Sequence, residues 1–395
     1  MKILFICKGH FDSGIEFYKS LCAQAESELL IDMEGGRYTQ SVIDADTAEI
    51  ALGMHPDLAR EYELVRQIRD NFNLEHEKIS MVKYHSLALK DYQNFLISRR
   101  VVQWIKEKKF DLIHYYGSSL PWLQQMVFLK GVPRIFTVHD YILHFGESHG
   151  RAWNYKFYMK AITENRTHNF HLLSETMRNE FCAYYGVQQQ RTIVAKFGSF
   201  EVYLKHARPD VQTENQTILF FGRISPYKGI EYLAEAGKNL QSRFPNLRII
   251  IAGAGELYFD RSIIENNSIF EIYNYHISNS LLAQLLQRSS IVVCPYIEAT
   301  QSGVLMTAYA FNKPVIASDV GSFREYVVHN TTGLLVPPKD SKALADAVSS
   351  LLADQDRLTA MIAQIQRTKE SESSWARSAV QLSEFYLSIC TRHNK

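Results

Sequence analysis

The chain has 395 residues with a formal net charge of +1, and 46% of them are hydrophobic. This length exceeds what one core fills, so two domains of about 200 residues each are expected, and the near-neutral charge gives no field strong enough to imply nucleic-acid binding. Cys7, Cys22, Cys182, Cys294 and Cys390 are odd in number and far apart, which fits reduced cytoplasmic thiols and neither a disulfide framework nor a metal site.

The N-terminal Met1-Lys-Ile-Leu-Phe-Ile-Cys7 is too short for a signal peptide and reads as a first strand. No run reaches the ~18 apolar residues of a spanning helix. Strand-like runs then alternate with amphipathic segments of helical length, the pattern of an α/β protein with parallel sheets covered on both faces. In the first half, strands are expected at Lys2–Cys7, Leu112–Tyr115, Arg134–Val138 and Phe170–Leu173, with a helix from Gly14 to about Glu28. Gly14 is placed at the strand-to-helix turn, either for close approach to a ligand or because the turn needs a small residue.

Val101–Phe110, preceded by Arg99 and Arg100, has an apolar stripe and a basic face. It reads as a solvated surface helix, with contact to anionic lipid as the alternative. Trp153–Lys160 interleaves aromatics with lysines, and core packing with snorkelling lysines explains it as well as a membrane or acceptor contact does. Ile135-Phe-Thr-Val-His139-Asp140 ends an apolar strand in an imidazole and a carboxylate. Ligand-binding side chains of open α/β sheets sit at such ends, although a helix-capping Asp beside a structural His is an equal reading. Ser174 is expected to cap the helix from Glu175. The polar stretch around Glu201–Gln216 marks a linker.

In the second half, strand Thr217–Phe221 runs into Gly222-Arg-Ile-Ser-Pro-Tyr-Lys-Gly229. Arg223 and Lys228 flank a helix N-terminus, where the dipole favours acids, so an anion is expected to compensate them, with a structural ion pair as the alternative. Leu247–Ala252 and Gly253-Ala-Gly-Glu256 form another strand and glycine turn, without the third glycine and acid of an NAD fingerprint. Strand Ile269–Tyr273 leads to Asn274-Tyr-His-Ile277 and a helix capped by Ser278 or Ser280. Strand Ile291–Tyr296 then delivers Glu298, followed by the small-residue turn Ala-Thr-Gln-Ser302-Gly303-Val304 that opens a helix whose free amides suit an anion.

Phe221–Gly229, Ile251–Glu256, Glu298 with its turn, Lys313-Pro-Val-Ile-Ala-Ser-Asp-Val-Gly321 and Gly333–Pro337, in this order and spacing, resemble glycosyltransferase family four, of the GT-B fold. The resemblance covers about half of the chain; the first half matches through Gly14, His139-Asp140 and the Ser174 segment. It implies two Rossmann-like domains facing across a cleft, residues 1–205 binding the acceptor and 206–374 the donor, with 375–395 a helix returning to the first domain. Arg223 and Lys228 would clamp a diphosphate in place of a metal. Amides at Ser302, Gly303 and Val304 would hold phosphate or sugar, Glu298 would orient the sugar hydroxyls, and His139 would approach the sugar from the other domain. The resemblance adds Gly14, Ile277 and Thr307 to the donor contacts.

The chain departs from the family where a second glutamate usually grips the ribose, eight residues after the first: Met306 and Thr307 stand there. A threonine hydroxyl still hydrogen-bonds ribose, without the charge assistance of a carboxylate. One glycine, Gly14, replaces the pair of many relatives, and Lys196-Phe-Gly198 replaces a histidine or asparagine before glycine.

The expected function is a retaining, metal-independent glycosyltransferase using a nucleotide diphosphate sugar, UDP ahead of GDP, and acting on a glycan or lipid-linked glycan in surface polysaccharide assembly. It is expected in the cytoplasm with peripheral contact at the inner membrane face, and without cofactor, metal or nucleic acid. The alternatives are a GT-B sugar-nucleotide epimerase, which would need a carboxylate cluster for proton abstraction, and a catalytically silent nucleotide- or glycan-binding protein.

Overall fold

A computed structural model describes residues 1–34, 37–40, 42–86, 88–142, 149–265, 267–370 and 374–393. The chain divides into two compact units, one formed by residues 1–142, 149–197 and 375–393 and the other by the described part of 198–374.

The first unit holds β1 (Lys2–Cys7), α1 (Phe11–Cys22), β2 (Glu26–Glu34), β3 (Arg37–Gln40), β4 (Ile43–Asp46), β5 (Gly53–Leu58), α2 (Glu63–Phe72), β6 (Lys78–Tyr84) and α3 (Tyr92–Lys108). It continues with β7 (Leu112–Tyr116), α4 (Leu120–Phe128), β8 (Arg134–Thr137), α5 (His149–Glu164), β9 (His168–Leu172), α6 (Glu175–Tyr185) and β10 (Thr192–Val194). Its sheet runs β10-β9-β8-β7-β1-β2-β6-β5, parallel except for β5, and β3-β4 form a separate hairpin.

The second unit holds β11 (Thr217–Phe221), α7 (Ile230–Gln241), β12 (Arg248–Ala252), β13 (Phe270–Tyr273), α8 (Asn279–Arg288), β14 (Ile291–Cys294) and α9 (Gly303–Ala310). β15 (Val315–Ser318), α10 (Phe323–Tyr326), β16 (Gly333–Val336), α11 (Ser341–Leu352) and α12 (Gln355–Glu370) follow. Its parallel sheet has the order β13-β12-β11-β14-β15-β16. Counted within the unit this is 3-2-1-4-5-6, the doubly wound Rossmann order. The last helix, α13 (Trp375–His393), belongs to the first unit.

Several expected boundaries move. The helix expected from Gly14 to Glu28 is α1, which ends at Cys22, and β2 begins at Glu26. That strand was missed because carboxylates interrupt its apolar run. Glu28 is fully buried and is held by Lys2, Lys78 and Lys108 at 3.3–3.5 Å. Asp32, equally buried, is held by Lys8 at 3.3 Å and by the Trp122 indole N–H. The expected domain boundary at 205/206 falls instead at Phe197/Gly198. The reason is that the turn Glu201–His206 packs on α8 and α9, and the Phe200 amide bonds the Met306 carbonyl at 3.2 Å.

α13 is tied to the first unit by stacking and by a directed hydrogen-bond chain. Trp375 packs edge-on against Phe17 at 4.8 Å, and the Ser378 hydroxyl donates to the Lys196 carbonyl at 2.6 Å. The Ala195 carbonyl can only accept, so His171 Nε2 carries the proton of their 2.8 Å bond. Thr137 must then donate to His171 Nδ1 at 2.8 Å, His114 Nε2 to Thr137 at 2.7 Å, and Tyr386 of α13 to His114 Nδ1 at 2.5 Å. Both histidines are neutral: burial drives the pKa of His114 well below its usual value, and that of His171 to about 4.

Gly14 lies inside α1 and not at the turn, which is Lys8-Gly9-His10; Gly9 and His10 both have left-handed backbones. The Gly14 amide bonds the His10 carbonyl at 2.8 Å. A Cβ there would lie 2.6 Å from Cys7 Sγ and 2.8 Å from the Tyr116 ring, so the glycine lets α1 sit against β1 and β7. Gly14→Ala is expected to destabilise the fold by about 1–3 kcal/mol through overpacking, seen as a lower urea midpoint.

Candidate active site

Open α/β sheets bind ligands outside the carboxyl ends of their strands, where the winding direction reverses. In the second unit that point lies between β11 and β14. The loop leaving β11 carries Gly222, Arg223, Ser225 and Lys228, and the loop leaving β14 carries Tyr296, Glu298, Gln301 and Ser302.

Lys228 is the centre of this arrangement. It is 7% exposed, and its ammonium donates to the Tyr296 hydroxyl at 2.8 Å and lies 4.7 Å from the centre of that ring. Among the described residues it has no carboxylate partner. Glu231, the acid in the first turn of α7, is engaged elsewhere, accepting a 2.6 Å hydrogen bond from Tyr258. Burial lowers the pKa of Lys228 to about 8; the Cys294 thiol acts upward and the Arg223 cation downward. Arg223 is exposed beside it.

Backbone geometry brings these loops close together. Gly222 has φ 110°, and a Cβ on it would lie 3.1 Å from Lys228 Nζ and 3.5 Å from Val304 Cγ2. Gly253, after β12, approaches so closely that its Cβ would lie 2.0 Å from the Gly222 carbonyl. A side chain is therefore barred at both positions.

α9 starts at Gly303 with Ser302 as its N-cap residue, but the Ser302 side chain does not cap it. Its hydroxyl bonds Tyr296 instead. The amides of Gly303 and Val304 lie in the first turn and so have no intrahelical acceptor. Two further polar atoms on these loops, Ser225 Oγ and Gln301 Oε1, are buried without a hydrogen-bond partner. Buried polar atoms of native structures are paired with protein, water or a ligand, so these two are open to a partner outside the chain. Neither was read from the sequence, because nothing local distinguishes them from loop polar residues.

The structure thus gathers Arg223, Lys228, Ser302, Gly303 and Val304 around one switch point, with half-buried Glu298 on the same loop as Tyr296. Thr307 is buried on α9, and its hydroxyl donates to the Gly303 carbonyl at 2.9 Å. Ile277 stands apart from the switch point, beyond the carboxyl end of the edge strand β13.

In the first unit, His139 follows β8 at the carboxyl edge of the sheet and is 6% exposed. His10, from the turn after β1, stacks on it with ring centres 3.8 Å apart and planes 8° from parallel. Tyr116 meets it edge-on at 4.8 Å. Both His139 nitrogens are buried without a hydrogen-bond partner. Burial drives its pKa well below the usual value, and His10, His171 and His114 push it further in the same direction. A neutral imidazole with one donor and one acceptor unspent is suited to meet a hydroxyl-bearing ligand. His10 escaped the sequence reading because only the fold stacks it there.

Among the described residues no three His, Cys, Asp or Glu side chains gather as a metal ligand set, and no helix is long and apolar enough to cross a membrane.

Residues 61–196 match the family model Glycosyltransferase Family 4, and residues 215–354 match Glycosyl transferases group 1. The chain belongs to the family-four glycosyltransferases. Its relatives include a phosphatidyl-myo-inositol mannosyltransferase of Mycolicibacterium smegmatis, 24% identical over 300 residues and 74% of each chain. An uncharacterised glycosyltransferase of Methanocaldococcus jannaschii is 27% identical over 200 residues, 46% of this chain. The match spans 50% of that relative's length. Among solved structures, Anabaena HepE in complex with UDP-glucose matches with a TM-score of 0.65 at 16% identity, over 98% of this chain and 100% of that one. This family-four glycosyltransferase therefore has the GT-B fold, with two Rossmann-like units in one chain.

Proposed function

We propose that the chain transfers a sugar from a nucleotide diphosphate sugar to a hydroxyl of a glycan or lipid-linked glycan, with retention of anomeric configuration. The observation that carries this reading is Lys228, a buried cation without a carboxylate partner at the switch point of the second unit. A diphosphate supplies the missing counter-charge. Lys228 and Arg223 then neutralise the charge that grows on the departing nucleotide, which stabilises the transition state more than the ground state.

The amides of Gly303 and Val304, with Ser225 and Gln301, offer hydrogen bonds to phosphate and sugar oxygens. Glu298 orients the sugar hydroxyls and stabilises positive charge at the anomeric carbon, while neutral His139 meets a sugar hydroxyl. Gly14, Ile277 and Thr307 complete the proposed donor set, Gly14 indirectly through the packing of α1. The two cations make a divalent metal unnecessary, so a chelator should leave turnover unchanged. UDP is the nucleotide we favour, in line with the neighbouring structure that holds UDP-glucose, and surface polysaccharide assembly is the setting. Five free thiols agree with a reducing cytoplasm.

A thermal-shift screen of UDP, GDP and ADP tests the nucleotide, since a ligand of the native state raises its stability by mass action. UDP should give the largest shift; no shift with any nucleotide would defeat the reading.

Affinity should also follow pH. In the free protein Lys228 deprotonates around pH 8, and a bound diphosphate raises that value by favouring the ammonium. UDP affinity is therefore expected to be flat below pH 8 and to fall up to about tenfold per pH unit above it. Calorimetry in buffers of different ionisation enthalpy should show proton uptake on binding above pH 8 and none well below it.

A further inference from the structure

His139 lacks the device that usually orients an imidazole. The torsion that turns such a ring is broad and two-fold, and a hydrogen bond at one ring nitrogen commonly settles it. Neither His139 nitrogen has such a bond. Its plane is therefore set by ring packing: Tyr116 edge-on at 4.8 Å, Phe197 tilted at 6.2 Å, and His10 flat against it at 3.8 Å with the planes 8° from parallel.

The stack is what the His10 side chain contributes. His10 stands at the N-cap position of α1, yet its side chain does not cap that helix, and among the described residues its ring makes no hydrogen bond. The residue is exposed, so burial does not explain an aromatic ring there. Its backbone is left-handed, with φ 47° and ψ 41°. Glycine adopts that conformation without the clash a Cβ brings, and a residue held in it against this cost points to a function.

The turn that carries His10 is pinned from both ends. The Lys8 amide donates to the Tyr116 carbonyl at 2.9 Å, and the Lys8 ammonium lies 3.3 Å from buried Asp32 and 3.4 Å from the Ser119 hydroxyl. Gly117, after β7, comes so close that a Cβ on it would lie 2.2 Å from the Lys8 carbonyl oxygen. Beyond the turn, the His10 carbonyl accepts from the Gly14 amide at 2.8 Å and from the Ser13 hydroxyl at 3.1 Å. A ring on so fixed a backbone can fix its neighbour.

We infer that His10 is a positioning residue for sugar transfer: its ring, laid flat on His139, holds the plane in which the two unpartnered imidazole nitrogens meet the substrate hydroxyl. This rests on the proposed role of His139 and goes beyond it. His10 touches no reacting atom and acts through the imidazole beneath it, where a misplacement of about 1 Å costs on the order of 100-fold in rate.

Steady-state kinetics of His10→Asn, His10→Phe, His139→Phe and the double variant His10→Asn with His139→Phe test this. Asparagine tolerates the left-handed backbone but has no ring, so kcat should fall on the order of 10- to 100-fold, with the donor KM and the UDP thermal shift unchanged. Phenylalanine restores a flat ring without nitrogens and should recover most of the lost rate. In the double variant the asparagine should cost nothing beyond His139→Phe alone, because a residue that acts through the imidazole has no effect once the imidazole is gone. Losses that multiply in the double variant, a His10→Phe rate as low as that of His10→Asn, or wild-type kcat in His10→Asn would each overturn the inference. A His10→Asn protein that gives no UDP shift would mean that His10 serves the fold, which overturns it too. An active wild type beside an unaffected His10→Asn variant fells the part of His10 alone; a wild type that binds UDP but releases no nucleotide from any donor fells the transfer reading, and this inference with it.

Discussion

Lys228→Met should make the unliganded protein more stable while reducing turnover by about 10²–10³-fold, the loss seen when a charge-stabilising donor is removed from an active site. The two effects have one cause. In the unfolded chain this ammonium keeps its ordinary pKa of 10.5, and burial lowers it to about 8 in the fold. Below pH 8 the folded state therefore carries a cost on the order of 3 kcal/mol for holding the charge out of water.

The sign follows from proton counting. Between pH 8 and 10.5 the unfolded chain binds more protons at this position than the fold does, so the wild type gains stability as pH rises through that window. The methionine variant lacks this gain. Its advantage, about 1–3 kcal/mol at neutral pH once the lost bond to Tyr296 is counted, should shrink across the same window in urea melts. A variant that is both less stable and inactive would mean that Lys228 serves the fold, not a ligand.

His139→Phe should likewise separate stability from activity. The ring keeps its place against His10 and Tyr116. No internal hydrogen bond is lost, because neither His139 nitrogen has a partner. Removing two desolvated and unpaired polar atoms should leave stability unchanged or raise it by about 1 kcal/mol. Turnover should fall about 100-fold if the imidazole meets the reacting sugar. Because His139 is held neutral by burial, the wild-type pH–rate profile should have no limb from this residue near the usual histidine range. Unimpaired turnover in the variant would leave His139 with no part in the reaction.

How far these residues were legible differs between the units. The inner strands of the second sheet are short apolar runs such as Leu219–Phe221 and Ile291–Cys294, buried, and glycine turns punctuate the sheet; that pattern gives away the order of elements and the loops that carry Arg223, Lys228 and Glu298. In the first sheet, buried Glu28, Asp32 and Lys83 break the pattern. They are satisfied only through partners distant in sequence, as when Lys83 bonds the carbonyls of Thr47 and Ile50 at 2.6 and 2.7 Å. The same limit hid Ser225, Gln301 and His10. Their meaning lies in an unmet bond or a ring stack, and neither exists until the chain folds. Gly14 shows the converse: the residue was noticed, but its role is contact between α1 and the sheet, which turn chemistry alone does not reveal.

The most direct measurement is nucleotide release from UDP-, GDP- and ADP-sugars with a glycan acceptor, run in parallel on the wild type and on Lys228→Met. One donor, carrying UDP, should support turnover by the wild type, and the folded variant should lose it. No release from any donor by a protein that still binds UDP, or equal release by both proteins, would contradict the assignment of Lys228 to a diphosphate in sugar transfer.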